Sequence, residues 1–186
     1  MVAPVRKALA TYADLAALPD DVIGELVAGE LWASPRPRTR HGRAAHRLSA
    51  DLDGPFDRGR GGPGGWIFLP EPELHLDDDV IVPDVAGWRT MRWQPTGDEV
   101  GITTVPDWLC EILSPSTARL DRLHKMDAYA RAGLDFLWLI DPALRTLEAY
   151  RLSDGRWLRL GTWADDAVAR IAPFEAVELA LADWWL

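Results

Sequence analysis

Three charged side chains, Asp84, Glu111 and Lys125, stand where the surrounding sequence favours apolar residues. Asp84 lies within the apolar stretch Val80–Trp88, and Glu111 interrupts the apolar run Asp107–Leu113. Burying an isolated carboxylate is very unfavourable, so such acids are expected to pair with a cation or to bind a metal. Two acids on neighbouring strands suit a hard divalent cation, and a nearby lysine can steady a phosphate or orient a water. The combination indicates metal-assisted phosphodiester hydrolysis.

Each of these residues also has a purely structural interpretation. Asp84 follows a proline and can cap a turn, and Glu111 can form a salt bridge with an arginine. Lys125 can pair on a helix surface with Asp121, four residues earlier. The metal site is favoured by the combination, because the structural interpretation must explain an acid in each of two apolar stretches separately.

The sequence around Glu111 predicts a strand, a helix and a second strand. Asp107–Leu113 suits a strand buried on both faces, and Phe136–Ile140 is a second apolar run. Between them, the hydroxyl groups of residues 114–117 can cap a helix that ends near Ala132, with Gly133 beyond its last turn. We therefore predict a parallel β-α-β unit.

The predicted helix places chemistry-bearing residues on one face. Asp121, Lys125 and Tyr129 are spaced four residues apart, and this spacing aligns side chains along a helix. A lysine on this helix can reach the ends of the strands in a β-α-β unit.

Local patterns predict the remaining elements. They are a helix at Tyr12–Leu18, a hairpin at Val22–Ser34 turning at Ala28-Gly29, a helix at Arg40–Leu52, a Gly- and Pro-rich internal loop at Asp53–Gly65, strands at Trp66–Leu69 and Glu73–Leu76, one strand at Val80–Trp88, a hairpin of Leu147–Leu152 with Arg156–Leu160, and a C-terminal segment ending in Trp184-Trp185-Leu186 that packs back on the sheet. Together they indicate a mixed α/β sheet with helices on its faces.

Composition limits the class of protein. The 186 residues, 48% of them hydrophobic and 26% charged, suit one globular domain spanning 1–186. A single cysteine, Cys110, excludes an intrachain disulfide framework and fits a reducing cytoplasm. We expect no membrane span, since no apolar stretch is long enough, and no zinc site, since the four histidines show no ligand spacing.

Charge is unevenly distributed along the chain. The net charge of −9 argues against a general nucleic-acid coat protein, yet residues 35–60 hold seven arginines against three aspartates, a local charge of +4. This arginine-rich stretch is either a solvated helix face and loop or a patch that steers phosphate toward the acidic site. The arginines assigned to steering are Arg36, Arg38, Arg40, Arg43 and Arg47.

Several motifs resemble those of known nucleases. Pro83-Asp84, then Glu111 in a strand, then a lysine, resemble the PD-(D/E)XK signature. More narrowly, the chain resembles the Uma-type family of small bacterial restriction-endonuclease-like proteins. The shared motifs are GELVAGELWASP, VPDVAGW, EILSPST and AGLDFLWLIDP.

The resemblance implies a restriction-endonuclease-like core, a mixed β-sheet flanked by α-helices with an N-terminal β-hairpin. It implies Asp84 and Glu111 as metal ligands. The chain departs from the nuclease signature at Leu113, where a lysine is expected. In the family the lysine appears on the following helix, which assigns its function to Lys125.

Three further residues match family positions or share the predicted helix face. Glu25 would complete the acidic cluster or hold an arginine. His41 would contact a phosphate or transfer a proton near neutral pH. The alternative for both Glu25 and His41 is a structural cap or salt bridge. Tyr129 is an accessory candidate beside Lys125.

The sequence therefore predicts a cytoplasmic, Mg²⁺- or Mn²⁺-dependent DNA endonuclease in which Asp84, Glu111 and Lys125 are catalytic. One alternative is a non-catalytic nuclease-fold module that binds nucleic acid or a partner protein, which the net charge and Leu113 both favour. Another is an oligomeric scaffold that uses the Trp-rich C-terminus. A homodimer is compatible with all three.

Overall fold

The computed structural model describes residues 5–19, 21–35, 38–93, 97 and 100–186. The strands are β1 (Val5–Ala8), β2 (Val22–Val27), β3 (Glu30–Pro35), β4 (Trp66–Pro70), β5 (Leu74–Leu76), β6 (Asp79–Ile81), β7 (Val85–Arg89), β8 (Trp108–Ile112), β9 (Phe136–Asp141), β10 (Thr146–Ser153), β11 (Arg156–Ala164), β12 (Val168–Ala169) and β13 (Leu179–Ala180). The helices are α1 (Tyr12–Ala16), α2 (Thr39–Leu52), α3 (Ala118–Leu120) and α4 (Met126–Ala132), with π-helical turns at Asp53–Asp57 and Asp121–Lys125 and a 3₁₀ turn at Leu181–Trp184.

The described strands form two main sheets. A five-stranded sheet has the order β1-β3-β2-β6-β5, and a six-stranded sheet has the order β11-β10-β9-β8-β7-β4. In the six-stranded sheet β8 and β9 run parallel, and the segment between them contains α3 and α4. The predicted β-α-β unit is confirmed, as is the mixed sheet flanked by helices.

The N-terminal hairpin is also confirmed. β2 and β3 pair over their length, and the turn between them is Ala28-Gly29. Both turn residues have positive φ angles, 54° and 75°, as a two-residue turn that matches the twist of the strands requires.

The prediction of one strand at Val80–Trp88 is wrong. β6 pairs with β2 and β5 in the five-stranded sheet, whereas β7 pairs with β4 and β8 in the six-stranded sheet. The break falls at Val82, Pro83 and Asp84, where proline supplies no N–H for a strand ladder. Asp84 therefore stands at the start of β7 rather than within a continuous buried strand.

Two helical predictions need correction. The first residues of the predicted loop at Asp53–Gly65 form a π-helical turn that extends α2 and buries Phe56. The predicted helix after β8 also contains a π-helical turn, Asp121–Lys125, between α3 and α4. It ends where expected, with Gly133 in the left-handed conformation at φ 80°.

The central sheet is covered on both faces. Buried Ala44, Leu48 and Leu52 of α2 pack with one set of strand residues, including Trp108 and Trp138. Buried residues of α4 pack with the opposite set on the other face. The pattern of strands buried on both faces is confirmed, since every residue of β8 is buried.

The C-terminal segment packs back on the chain's own core, as expected. Trp184 and Trp185 are buried, and the Trp184 indole N–H donates to Asp51 Oδ2 at 2.7 Å. The scaffold alternative loses its basis, because these tryptophans do not form an exposed aromatic surface.

Buried Asp79 links three segments. Its Oδ1 accepts the Ala28 N–H at 2.7 Å, and its Oδ2 lies 2.7 Å from Nη2 of Arg131. One side chain therefore joins the β2–β3 turn, β6 and α4.

In the described part of the chain, no helix has the length and apolar character needed to cross a membrane.

Substitution of Leu48 tests the packing of α2 on the sheet. Leu48 is fully buried, so Leu48→Ala should lower the free energy of unfolding by about 2–5 kcal/mol through lost burial and a residual cavity. Leu158, 57% exposed, provides a matched control, and Leu158→Ala should change it by less than about 0.5 kcal/mol. Urea unfolding measures both, and equal losses would contradict the assigned packing of α2.

Candidate active site

The predicted acids meet where β7 begins and β8 ends. Val85 pairs with Cys110 in the antiparallel β7–β8 ladder, so Asp84 lies opposite Glu111. The Ile112 N–H donates to Asp84 Oδ2 at 2.6 Å. This bond fixes the Asp84 carboxylate beside the strand that carries Glu111.

His41 approaches the same carboxylate from α2. Its Nε2 lies 3.0 Å from Asp84 Oδ1, and the two side chains are 13% and 15% exposed. Burial alone would lower the pKa of His41, but the hydrogen bond and negative charge of Asp84, with Asp121 and Glu71, raise it above its usual value. The charged imidazolium is thereby favoured.

Lys125 lies among three carboxylates. Its Nζ is 2.7 Å from Glu25 Oε1, 3.2 Å from Glu111 Oε1 and 3.4 Å from Asp121 Oδ1. Each of these side chains is at most 4% exposed. The Tyr129 hydroxyl donates to the same Glu111 oxygen. We refer to Glu25, Glu111, Asp121 and Lys125 as the buried cluster.

The pKa values reflect a surplus of negative charge in the buried cluster. Burial would lower the pKa of Lys125, but the carboxylates of Glu111, Glu25 and Asp121 raise it well above its usual value. Burial raises the pKa of Glu111 strongly; Lys125 opposes this, and the neighbouring acids reinforce it. Burial likewise raises the pKa of Asp121 to about 6, against the effect of Lys125. The ammonium therefore stays charged and does not fully compensate its neighbours.

The π-helical turn helps to bring the buried cluster together. The Met126 N–H bonds to the Asp121 carbonyl, five residues earlier, so the turn is wider than an ordinary α-helical turn. Both Asp121 and Lys125 of this turn are buried. Such turns within helices occur frequently at functional sites.

The structure brings together all the predicted catalytic and accessory residues. The Glu25 carboxylate holds Lys125 rather than an arginine, which decides between the two alternatives for it. Asp121, which the sequence places on the same helix face as Lys125 but does not assign to the site, is buried against Lys125. The i, i+4 spacing to Lys125 was the available signal.

The predicted steering arginines that the structure describes do not all lie on one face of α2. Arg36 lies outside the described residues. Arg38 and Arg40 are exposed at the beginning of α2. Arg43 donates from Nη2 to the Asp183 carbonyl at 3.1 Å, and Arg47, four residues later, shares its helix face. These two arginines therefore lie on a different face of α2 from His41.

A pocket of about 410 Å³ opens beside Asp84 and His41. Ser49 of α2, Phe68 of β4 and Glu71 also line it. Glu71 has a positive φ of 47°, and its N–H donates to the Asp84 carbonyl at 3.1 Å. The pocket exposes Asp84 to a molecule entering from solvent. Glu71, which also lines it, was not identified from the sequence.

The donor set fits a divalent cation. Among the described residues, no three His, Cys, Asp or Glu side chains form a ready-made metal site. Mg²⁺, however, takes one or two carboxylates and completes its shell with waters, and Asp84 and Glu111 supply two. Oδ1 of Asp121 is buried without a hydrogen-bond donor in the described part of the chain. The surplus negative charge of these acids is what a cation bound by Asp84 and Glu111 would offset.

Comparison with solved structures defines the class of fold. A crystal structure from Anabaena variabilis, described as that of "a putative nuclease belonging to DUF820", aligns with a TM-score of 0.75. The alignment covers 94% of this chain and 97% of that chain at 21% sequence identity. The chain therefore shares the mixed α/β fold of that protein.

The family follows from the sequence match. Residues 9–182 match the family model Uma2, described as "Putative restriction endonuclease". The chain belongs to this family, and the resemblance drawn from its motifs is confirmed. A search of curated proteins found no match.

Removal of the Lys125 charge tests the buried cluster. Lys125→Met leaves three buried carboxylates without their cation, so the metal-free protein should lose about 3 kcal/mol or more of unfolding free energy at pH 7. Arg119→Met, at an exposed position on the same helical segment, is the control and should change it by less than about 0.5 kcal/mol. Chemical unfolding in EDTA measures both; similar small losses would show that Lys125 is not compensating buried charge.

A second ion pair ties the lysine-bearing turn to β10. Arg122 donates to both carboxylate oxygens of Glu148, and the Tyr150 hydroxyl donates to one of them. Burial would raise the pKa of Glu148, but these bonds lower it below its usual value. Because the pKa of Glu148 is lower in the folded protein, its ion pair contributes to folding stability at neutral pH, and this contribution is lost as the pH falls through that pKa.

Glu148→Gln should therefore lower the free energy of unfolding by about 1 kcal/mol at pH 7. The difference from wild type should shrink at acidic pH, where Glu148 is protonated in both states. Unfolding by urea at stepwise lower pH measures this. A difference that stays constant down to pH 3 would contradict the assignment.

Proposed function

We propose that this chain is a Mg²⁺- or Mn²⁺-dependent endonuclease that hydrolyses phosphodiester bonds in DNA. The observation that carries the proposal is the placement of Asp84 and Glu111 side by side, with the Lys125 ammonium 3.2 Å from Glu111. Membership of a family described as "Putative restriction endonuclease" and the nuclease-like fold support it.

The acids have the chemistry of cation ligands. In this proposal Asp84 and Glu111 hold the divalent ion. Bound there, the ion would lower the pKa of a water and offset negative charge on the phosphate. Asp84 lines the pocket and is oriented by the Ile112 N–H at Oδ2, while His41 contacts Oδ1. A cation entering from that side would share Oδ1 with His41 or displace it.

Lys125 and His41 supply positive charge at the reacting phosphate. The burial of Lys125 keeps its ammonium from solvent, which strengthens its attraction to an anion. It can donate a hydrogen bond to the attacking water or to a phosphate oxygen. His41 is held by Asp84 through Nε2 and lines the same pocket, where its cationic form favours a bound phosphate.

Access for DNA must overcome an acidic protein. The net charge is −9, and long-range repulsion opposes binding to a polyanion. Exposed Arg38 and Arg40 lie at the N-terminal end of the helix that carries His41, where they can offset this repulsion near the pocket. Contacts between these arginines and phosphates would make binding weaken as salt rises.

The alternative is a nuclease-fold module that binds nucleic acid or a partner protein without cleaving. The contacts of Glu111 favour this alternative, because Lys125 and Tyr129 both donate to its Oε1 atom, which a metal ion would otherwise use. The net charge favours a protein partner in particular. This alternative predicts no metal-dependent cleavage.

Cleavage of supercoiled plasmid DNA separates the two functions. Wild-type protein should nick the plasmid with Mg²⁺ or Mn²⁺ and not with EDTA. Asp84→Asn, which keeps the shape and removes the charge, should lower the rate at least about 100-fold, as should Lys125→Ala. Asp78→Asn, at an exposed acid in the turn before β6, is the matched control and should retain the wild-type rate.

Two outcomes would count against the proposal. Equal nicking by wild type and Asp84→Asn would indicate a contaminant or another site. The second outcome is that no protein nicks the plasmid and that wild type and an Asp84→Ala, Glu111→Ala double variant bind Mn²⁺ equally. This result would contradict the metal site and support the binding module.

A further inference from the structure

The Lys125 ammonium has more carboxylate partners than its charge requires. Glu25, Glu111 and Asp121 lie 2.7, 3.2 and 3.4 Å from Nζ. One cation therefore faces three buried acids. A single carboxylate would be enough to compensate a buried ammonium, so the additional acids need an explanation.

The three acids differ in what else they contact. Glu111 Oε1 receives both Lys125 and the Tyr129 hydroxyl. Glu25 Oε1 accepts the Val82 N–H at 2.9 Å and makes the shortest of the three contacts with Lys125. Glu25 and Glu111 therefore each have a second donor, but the contact of Glu111 with Lys125 is the longer of the two, and Glu111 is the acid that lies opposite Asp84. It can release the ammonium and keep a hydrogen bond.

Asp121 provides an independent observation. It is 2% exposed, and no described residue donates a hydrogen bond to its Oδ1. A buried carboxylate oxygen without a donor is unfavourable. This oxygen lies 3.4 Å from Lys125 Nζ, a distance that a small movement of the ammonium would turn into a hydrogen bond.

We propose that Lys125 is the resident counterion of Glu111 in the metal-free protein, and that Glu25 and Asp121 are positioning residues that hold the ammonium when a divalent cation binds Glu111. The inference rests on the metal site of the proposed function. An ammonium displaced from Glu111 without other acids would be buried and unpaired, which is strongly unfavourable. With Glu25 and Asp121 in place, the ammonium moves toward them and remains compensated.

Metal affinity then depends on Lys125 in a specific way. Removing Lys125 removes the competitor, so Lys125→Met should bind Mn²⁺ more tightly. Removing the charge of Asp121 leaves Lys125 more dependent on Glu111, so Asp121→Asn should bind Mn²⁺ more weakly. If Asp121 acts through Lys125, Asp121→Asn should have no effect once Lys125 is absent.

A double-mutant cycle tests this dependence without DNA. Mn²⁺ affinity is measured by electron paramagnetic resonance for wild type, Lys125→Met, Asp121→Asn and the double variant. We expect Lys125→Met to tighten binding about tenfold and Asp121→Asn to weaken it about tenfold, with no further change from Asp121→Asn in the Lys125→Met background. Each variant is first checked for native circular dichroism and cooperative unfolding.

Three results would overturn the inference. Equal weakening by Asp121→Asn in both backgrounds would show that Asp121 attracts the ion directly. Weaker Mn²⁺ binding by Lys125→Met, or no Mn²⁺ binding by any of the four proteins, would show that Lys125 does not hold the place of a cation. If Asp121→Asn does not fold, Glu25→Gln takes its place in the same cycle and has the same expected pattern.

The plasmid assay keeps this inference separate from the proposed function. If the cycle shows the expected coupling between Lys125 and Asp121 but the wild-type protein does not nick DNA, the counterion exchange is supported and the proposed nuclease function is contradicted. If the wild-type protein nicks DNA but the cycle shows no coupling, the nuclease function is supported and the counterion exchange is contradicted.

Discussion

The structure depends on compensating one charged group in its interior, the ammonium of buried Lys125. A buried cation is tolerated only where carboxylates surround it, and the acids around Lys125 come from different parts of the chain. Glu25 belongs to β2 of the five-stranded sheet, and Glu111 belongs to β8 of the six-stranded sheet. Asp121 and Lys125 share the π-helical turn. The requirement to compensate one charge therefore joins both sheets and the intervening helical segment.

The passage between the sheets is part of the same arrangement. The Val82 N–H donates to Glu25, and two residues later Asp84 accepts the Ile112 N–H. Backbone groups left unpaired where the strand ladder ends are thus satisfied by the acids of the site. The break in the strand ladder at Val82 and Asp84 therefore also orients the carboxylates of the candidate site.

The sequence predicted local elements well and long-range partners less well. The hairpin at Ala28-Gly29, the strand around Glu111 and the helix end at Gly133 follow from short patterns with direct physical causes. The division of Val80–Trp88 between two sheets does not, because an apolar run looks the same whichever strand pairs with it. The four-residue spacing of Asp121, Lys125 and Tyr129 predicted a common face. It did not show that the face is buried or that the turn is π-helical, since those depend on tertiary packing.

The Asp79 link has a mechanical consequence. A single carboxylate holds the β2–β3 turn, β6 and α4, and Glu25 lies on β2, in the same hairpin. The hairpin is held through a hydrogen bond and the helix that follows the lysine through an ion pair to the same carboxylate. A displacement of either one therefore breaks a contact with Asp79. A ligand that reaches the pocket meets groups already in place, so the entropy of assembling them is lost during folding rather than at each encounter.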